Sequence, residues 1–251
     1  AGNGKVVISA GGMGSGGGQL IYIADETNLN SWTGVTISSS LGTHKRGVAT
    51  DGDGTWVGVC GAGSIIYSTN NTTSWSVAAP AGGGAAPFSD DWTLCEFVNG
   101  SFIIGGFGGK LMYATSAQVA SNSWNDLTGT GITSRPYLAD FCNGVYIIAD
   151  SVWGNPSNLV RSTTLASGTS NWSTVTGLGV TQSYNWGFGG ITYVSSLKKI
   201  IVTATNGKIF SSTDGTGVPV SITGSKQTLD NGVTIKFDAN TGHTVGDIWQ
   251  M

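Results

Sequence analysis

The residues best suited to bind a ligand are aromatic and polar side chains in the segments between predicted strands. Exposed tryptophan and tyrosine rings beside hydrogen-bonding groups suit flat polar ligands such as sugars, and they also suit the centre of a protein interface. The candidate ligand-binding residues are Arg46, Asp91, Trp92, Arg135, Trp153, Tyr184 and Trp186. As an alternative, Trp92 and Trp186 fill space between packed sheets, since large aromatic side chains are buried on average.

Catalytic chemistry requires side chains that converge on one point, and this sequence offers few candidates. A glycosidase needs two carboxylates about 5–10 Å apart. The chain has two glutamates, Glu26 and Glu96, while Asp90 and Asp91 are adjacent in one connector and point in different directions. We therefore predict no catalytic residues and a protein that is not an enzyme. A glycoside hydrolase or depolymerase that uses Asp91 or Glu96 stays open as an alternative.

The sequence predicts neither a metal site nor a cofactor. His44 and His243 are far apart and have no companions at ligand spacing. Residues 12–17 match the glycine pattern of dinucleotide-binding loops, but they lead into a strand, so no helix N-terminus follows to hold a pyrophosphate. The cysteines lie in predicted strands and are interpreted as small buried hydrophobic residues. They are Cys60, Cys95 and Cys142.

The composition fits an all-β protein with many tight turns and excludes several classes of partner. Glycine contributes 41 of 251 residues, charged residues make up 10%, and the net charge is −3. Basic residues form no cluster longer than a pair, so we predict no nucleic-acid partner, which would need a basic surface. No run approaches the ~20 apolar residues of a membrane span, and no signal segment is evident at the N-terminus, so we expect no membrane insertion.

Four tryptophans recur at nearly even spacing and reveal the organisation of the chain. Trp32, Trp75, Trp124 and Trp172 are separated by 43, 49 and 48 positions, and each follows an apolar strand-like run. A fifth copy keeps the spacing but has Val218 in place of the tryptophan. Repeats of about 40–50 residues with several strands each predict a β-propeller. Tight two-residue hairpin turns are predicted within the repeats, at Asp53-Gly54, Asn99-Gly100 and Asn143-Gly144.

We predict one all-β domain, a propeller of about five four-stranded blades. The first copy lacks its first strand, and two strand-like runs, Val233–Asp238 and Thr244–Trp249, remain after the fifth copy. We expect a C-terminal strand to pair with the N-terminal blade and close the ring, because closure removes exposed sheet edges. A sixth blade stays open as an alternative. Within the domain 1–251, the predicted blades are approximately 1–42, 43–89, 90–134, 135–183 and 184–230, followed by a closing hairpin at 231–251.

Two turn segments resemble the Asp-box of sialidase-like propellers, whose pattern is Ser-x-Asp-x-Gly-x-x-Trp. The segment 68–75 keeps the serine and the tryptophan, and Ser212-Thr213-Asp214-Gly215 keeps the serine and the aspartate. The resemblance implies a structural role, in which a short polar side chain caps the hairpin above a packed ring. A sialidase active site is not expected, because that family uses three arginines for its substrate and Arg161 lies in a third strand, far from the centre.

The C-terminal segment resembles a module of tailed-bacteriophage tail and fibre proteins. The match lies in a strand followed by Thr-Gly-His-Thr-x-Gly-Asp-x-Trp at residues 241–249. The resemblance implies a multi-copy virion component made in the host bacterial cytoplasm. We therefore expect a tail- or surface-associated virion protein that mediates host attachment, either by binding a cell-surface glycan or by binding a neighbouring virion protein. A purely structural capsid or tail decoration protein is a further alternative.

Overall fold

Short antiparallel strands make up nearly all the regular structure in the computed structural model of the chain. The structure describes residues 1–9, 19–37, 45–60, 64–78, 92–151, 157–176, 178, 180, 187–204, 208–213, 218–220, 227–228 and 234–235. These residues form five antiparallel sheets of three or four strands and one two-stranded hairpin, in which strands adjacent in sequence pair with each other. The predicted all-β architecture with five blades is confirmed.

Each sheet is an up-and-down meander of consecutive strands. The first sheet comprises β1 (Lys5–Ser9), β2 (Gln19–Asp25) and β3 (Asn28–Ile37). The second comprises β4 (Lys45–Thr50), β5 (Trp56–Cys60), β6 (Ile65–Ser68) and β7 (Ser76–Ala78). The third comprises β8 (Trp92–Val98), β9 (Ser101–Gly106), β10 (Lys110–Ala114) and β11 (Asn125–Asp126). The fourth comprises β12 (Arg135–Cys142), β13 (Val145–Ser151), β14 (Leu159–Ser162) and β15 (Ser173–Thr174). The fifth comprises β16 (Phe188–Val194), β17 (Lys199–Ala204), β18 (Ile209–Ser212) and β19 (Val218–Val220), and the hairpin comprises β20 (Gln227–Thr228) and β21 (Thr234–Ile235).

The third sheet also carries the helical turns of the described chain. A 3-10 turn covers Phe107–Gly109 between β9 and β10, and the helix α1 covers Ser116–Ala120 after β10. A capping box begins the helix: Thr115 accepts a hydrogen bond from the Gln118 backbone, and the Gln118 side chain accepts one from the Thr115 backbone. A helix this short leaves no 3.6-residue pattern in the sequence, which is why period analysis does not predict it.

Successive sheets pack face to face, and each interface has its own apolar core. Val57 and Val59 of the second sheet meet Phe102 of the third in one such core. The strand β9 is buried along its whole length because it packs against sheets on both sides, so Phe102, Ile103 and Ile104 follow one another without polar alternation. The strand β13 is buried in the same way. Each fully buried Val, Ile or Phe contributes about 1.5–3 kcal/mol to folding, so these interfaces dominate the stability.

The repeated tryptophans pack at the interfaces with the preceding sheet. Trp75 contacts the core between the first two sheets, Trp124 lies in the core between the second and third, and Trp172 lies in the core between the third and fourth. No described sheet precedes the first one, and there Trp32 is 37% exposed. The even spacing of these residues therefore reflects one ring per sheet interface.

The first strands of the later sheets lie next to one another on the inner side of the blades. The strand β4 packs against β8, β8 against β12, and β12 against β16. The strand β1 contacts β4, just as the second strand β5 contacts β8. The strand β1 therefore corresponds to the second strand of a later sheet, which agrees with the missing first strand of the first repeat. Ring closure by a C-terminal strand stays a prediction, because residues 236–251 lie outside the described residues and β21 pairs with β20.

Type I′ turns join the first two strands of the third and fourth sheets, as predicted. Asn99 and Gly100 have φ values of 47° and 80°, and Asn143 and Gly144 have φ values of 52° and 83°. The predicted two-residue turn at Asp53-Gly54 is wrong. A longer turn at 51–55 replaces it, because the Asp51 carboxylate accepts hydrogen bonds from the backbone N–H groups of residues 53 and 55 and holds the wider loop.

Each four-stranded sheet has a β-bulge in its first strand, and the bulges of β8 and β12 link neighbouring blades. The register shifts occur between Trp92 and Leu94 in β8, and at the equivalent places in β4, β12 and β16. The bulged Thr93 donates a hydrogen bond to the Pro136 carbonyl oxygen of the next blade at 2.5 Å. At the same position one blade later, the Tyr137 hydroxyl donates to the Phe188 carbonyl oxygen at 2.8 Å and accepts from the Phe188 N–H. The bulges thus fix the relative positions of the inner strands.

Candidate binding cleft

The structure describes three of the seven predicted ligand-binding residues, all of them near the starts of first strands. Arg46 lies in β4, where the backbone alone is described. Arg135 begins β12 and is exposed, with its guanidinium carbon 3.6 Å from the centroid of the Phe107 ring. This cation–π contact joins the third and fourth sheets at the surface. The other four candidates, Asp91, Trp153, Tyr184 and Trp186, lie outside the described residues.

Trp92 is a packing residue in this structure. Its side chain is 0% exposed and belongs to the core between the second and third sheets, with Val59 and Phe102. The sequence-based alternative, in which this ring fills space between blades, describes its position. A ligand at the surface of the described chain therefore has no access to the Trp92 ring.

A cleft of about 330 Å³ opens on the inner side of the blades, where three first strands lie side by side. Five of its lining residues are apolar, two are acidic and one is a glycine. The lining residues are Glu96, Phe97 and Val98 of β8, Leu138, Ala139 and Asp140 of β12, and Gly190 and Ile191 of β16. Because each strand belongs to a different sheet, the cleft depends on the packing of three successive blades.

The two carboxylates of the cleft occupy the same position in neighbouring repeats. Each lies two residues before the last paired residue of its strand, which is Val98 in β8 and Cys142 in β12. The type I′ turn follows directly after that residue. Their cross-strand partners also correspond, since Glu96 pairs with Ile103 and Asp140 pairs with Ile147. The equivalent residue of β16 is Thr192, so the acidic pair belongs to the third and fourth blades. An alignment of the repeats could have revealed Asp140, which the sequence analysis missed.

The surroundings of Glu96 disfavour the ionised form of its carboxyl group. Burial of its carboxylate raises the pKa of Glu96, and the nearby charge of Asp140 raises it further, because both disfavour the ionised form. Among the described residues, Glu96 has neither a hydrogen-bond donor nor a cationic partner. The residue as a whole is still solvent-exposed, so a ligand can reach it.

Asp140 is held in place by hydrogen bonds from its own strand. One carboxylate oxygen accepts from the Phe141 N–H at 2.7 Å, and the other accepts from the Cys142 thiol at 3.4 Å. Burial raises the pKa of Cys142 to about 12, and the charge and hydrogen bond of Asp140 add to the shift. The thiol therefore stays protonated at neutral pH and continues to donate to Asp140.

An aromatic pair packs on each of the two acidic strands. The rings of Phe97 and Phe102 lie 4.7 Å apart in a tilted arrangement, and the rings of Phe141 and Tyr146 lie 4.6 Å apart in the equivalent place of the next blade. Asn99 in the turn after β8 donates a hydrogen bond to the Tyr146 hydroxyl at 2.8 Å. These contacts make the cleft a preformed site on rigid strands, which lowers the entropic cost of binding.

A third acidic side chain, that of Asp150, organises the chain near Arg135. Asp150 is 0% exposed, and its carboxylate accepts hydrogen bonds from the Thr133 N–H at 3.1 Å, the Asn158 N–H at 2.6 Å and the Asn158 side-chain amide at 3.0 Å. Thr133 belongs to the connector between the third and fourth sheets. Asp150 therefore links that connector to Asn158, which follows the segment that contains the predicted ligand residue Trp153.

The chemistry available in the cleft is the binding of a group that is both apolar and positively charged. Its apolar lining residues favour a hydrocarbon stem, and two carboxylates that have no cationic partner among the described residues favour a cation. Within the described part of the chain, no group of three or more His, Cys, Asp or Glu side chains is arranged to hold a metal ion. None of the helices in that part is long and apolar enough to span a membrane.

Comparison with solved structures identifies the architecture. A structure described as YCF48 bound to D1 peptide matches with a TM-score of 0.53 and 14% sequence identity, over 80% of this chain and 60% of that one. YCF48 from Cyanidioschyzon merolae matches with a TM-score of 0.52 and 14% identity, over 80% and 65% of the two chains. The Dos1 propeller matches with a TM-score of 0.52 and 12% identity, over 86% and 56%. The fold is a β-propeller.

Sequence identities of 12–14% to these structures show the fold of the chain and not its family. The chain spans between 56% and 65% of the length of these three structures. No family model and no curated protein matches the sequence. The resemblances to the Asp-box and to phage tail modules therefore rest on the sequence motifs alone.

Proposed function

We propose that this protein is a non-catalytic binding propeller whose partner is a polypeptide held in the cleft between β8, β12 and β16. The observation that carries the proposal is the cleft itself, a preformed site of about 330 Å³ that combines apolar walls with two carboxylates. Protein interfaces concentrate their affinity in pockets that lose their water when the partner binds. A structural neighbour, YCF48, has a structure described as bound to the D1 peptide, which supports peptide binding as a use of this fold.

The cleft suits a polypeptide better than a glycan, the other partner expected from the sequence. A sugar-binding site offers flat aromatic platforms for stacking, whereas Phe97 packs on Phe102 and the remaining walls are largely aliphatic. The motif at residues 241–249 supports the finer form of the proposal, in which the partner is a neighbouring protein of a tailed-phage particle and the propeller contributes to attachment.

Selection from a random dodecapeptide display library tests the proposal. Peptides selected on the wild-type protein should bind it in solution and lose at least about tenfold in affinity when Gly190→Leu fills the cleft. The backbone of Gly190 accepts a side chain, because a Cβ there would lie 3.7 Å from the Thr203 hydroxyl oxygen, an ordinary contact. Urea unfolding of Gly190→Leu checks that the variant is folded before its binding is compared. Ala120→Leu on the exposed surface of α1 is the matched control. Equal binding by wild type and Gly190→Leu would contradict the proposed site.

A hydrolysis assay separates binding from catalysis. The protein is incubated with a panel of bacterial polysaccharides, and reducing ends are measured for the wild type and for Glu96→Gln. We expect no turnover by either protein. Turnover that disappears in Glu96→Gln would replace the binding proposal with the glycoside hydrolase alternative.

A further inference from the structure

We infer that the cleft selects a lysine or arginine side chain of its partner, with Glu96 and Asp140 as the acceptors of the cationic head. The inference rests on the proposed function, because it names the chemistry of the residue that a polypeptide partner inserts.

The first argument is the shape and lining of the cleft. Leu138 and Ile191 line the same opening as the two carboxylates, and they come from adjacent blades. Lysine and arginine carry three or four methylene groups below the charged head, and they bury these stems on apolar surface while the head meets a polar group. A purely apolar side chain would leave the carboxylates desolvated, and an acidic side chain would add a third negative charge.

The second argument is the state of the carboxylates. Asp140 already accepts hydrogen bonds from the Phe141 N–H and the Cys142 thiol, whereas Glu96 has no donor among the described residues. An incoming ammonium or guanidinium group supplies the missing donors to Glu96 and offsets the repulsion between the two carboxylates. Of the eight residues that line the cleft, Glu96 and Asp140 are the charged ones, and both are acidic. None of these lining residues therefore supplies a positive charge to the carboxylates.

The third argument is that the strand geometry does not require a carboxylate at this position. The equivalent position of β16 holds an uncharged threonine, Thr192, in the same strand geometry. The structural roles nearby are carried by other groups, such as the aromatic pair of Phe97 and Phe102 and the turn asparagine Asn99. Two carboxylates in adjacent blades at one opening therefore act together on what enters it.

A positional-scanning peptide library tests the inference. Each pool fixes one residue at one position, and binding is compared for pools with lysine, arginine, norleucine and glutamate. The wild type should prefer lysine or arginine to norleucine by about tenfold or more at one position, as expected for a charge-assisted hydrogen bond. Glu96→Gln and Asp140→Asn should lose that preference yet keep the binding of the norleucine pools. Asp126→Asn, at an exposed carboxylate of β11, is the control and should bind as the wild type does.

The outcomes distinguish the inference from the proposed function. If wild type binds peptides in the cleft, as judged by Gly190→Leu, but shows no preference for lysine or arginine, the inference is wrong and the proposed function stands. A preference that Glu96→Gln and Asp140→Asn both leave intact would also overturn it. If no pool binds the wild type, or Gly190→Leu binds every pool equally well, the proposed function itself fails.

Discussion

Replacing Asp150 with alanine should destabilise the protein by about 3 kcal/mol. The carboxylate is fully buried and accepts three hydrogen bonds, two from the Asn158 backbone and side chain and one from the Thr133 N–H. A typical hydrogen bond contributes about 1 kcal/mol net, so three lost bonds give about 3 kcal/mol. For a chain of this length, each kcal/mol shifts the midpoint of thermal unfolding by about 2–4 °C, so the expected decrease is about 6–12 °C.

Asp150→Asn should have a smaller effect, because the amide keeps one acceptor oxygen and replaces the other by a donor. Its expected destabilisation is about 1–2 kcal/mol, from one or two lost acceptor contacts. Unfolding in urea, followed by tryptophan fluorescence, gives the free energies, and hydrogen exchange at the amides of Thr133 and Asn158 reports the local loosening. Asp126→Ala removes an exposed carboxylate and serves as the control. A free energy for Asp150→Ala within about 0.5 kcal/mol of wild type would refute the reasoning.

Three further predictions concern the inner strands and their turns. Tyr137→Phe removes a hydroxyl that donates to and accepts from the Phe188 backbone, so it should destabilise by about 1–2 kcal/mol in urea unfolding, and an unchanged midpoint would contradict the inter-blade bond. Glu96→Gln should raise the thermal midpoint at neutral pH by the equivalent of at most about 1 kcal/mol, since charges this exposed are screened. The raised pKa of Glu96 means that the fold disfavours the ionised form, so the gain should disappear as the pH falls below that pKa; a gain that persists at acid pH would argue against the charge effect. Gly100→Ala should cost about 1 kcal/mol or more because Gly100 has a φ of 80°, whereas Gly190→Ala, at ordinary φ, should be close to neutral in the same assay.

The repeat pattern was sufficient to predict the architecture because one physical cause acts in every blade. Trp75, Trp124 and Trp172 each pack against the preceding sheet, so their spacing follows the length of a blade. The turns at Asn99 and Asn143 were predictable for a similar reason, since asparagine followed by glycine tolerates the positive φ values of a type I′ turn.

The cleft was harder to predict because it depends on contacts between blades. Asp140 and Glu96 lie 44 positions apart, and only the side-by-side packing of β8 and β12 brings them to one opening. Trp92 was ambiguous in the sequence, where an aromatic residue at the start of a strand can face solvent or a neighbouring sheet, and the packing of the second sheet decides between them. The hydrogen bond that Asp51 accepts from the Ser116 hydroxyl at 2.7 Å was missed because it joins separate repeats.

A crystal structure of the protein with a library-selected peptide tests the account most directly. We predict an extended peptide that crosses β8, β12 and β16, with a lysine or arginine head between Glu96 and Asp140 and its stem against Leu138 and Ile191. A peptide bound elsewhere, for example over Arg135 and Phe107 with the inner cleft empty, would contradict the assignment of the cleft as the binding site.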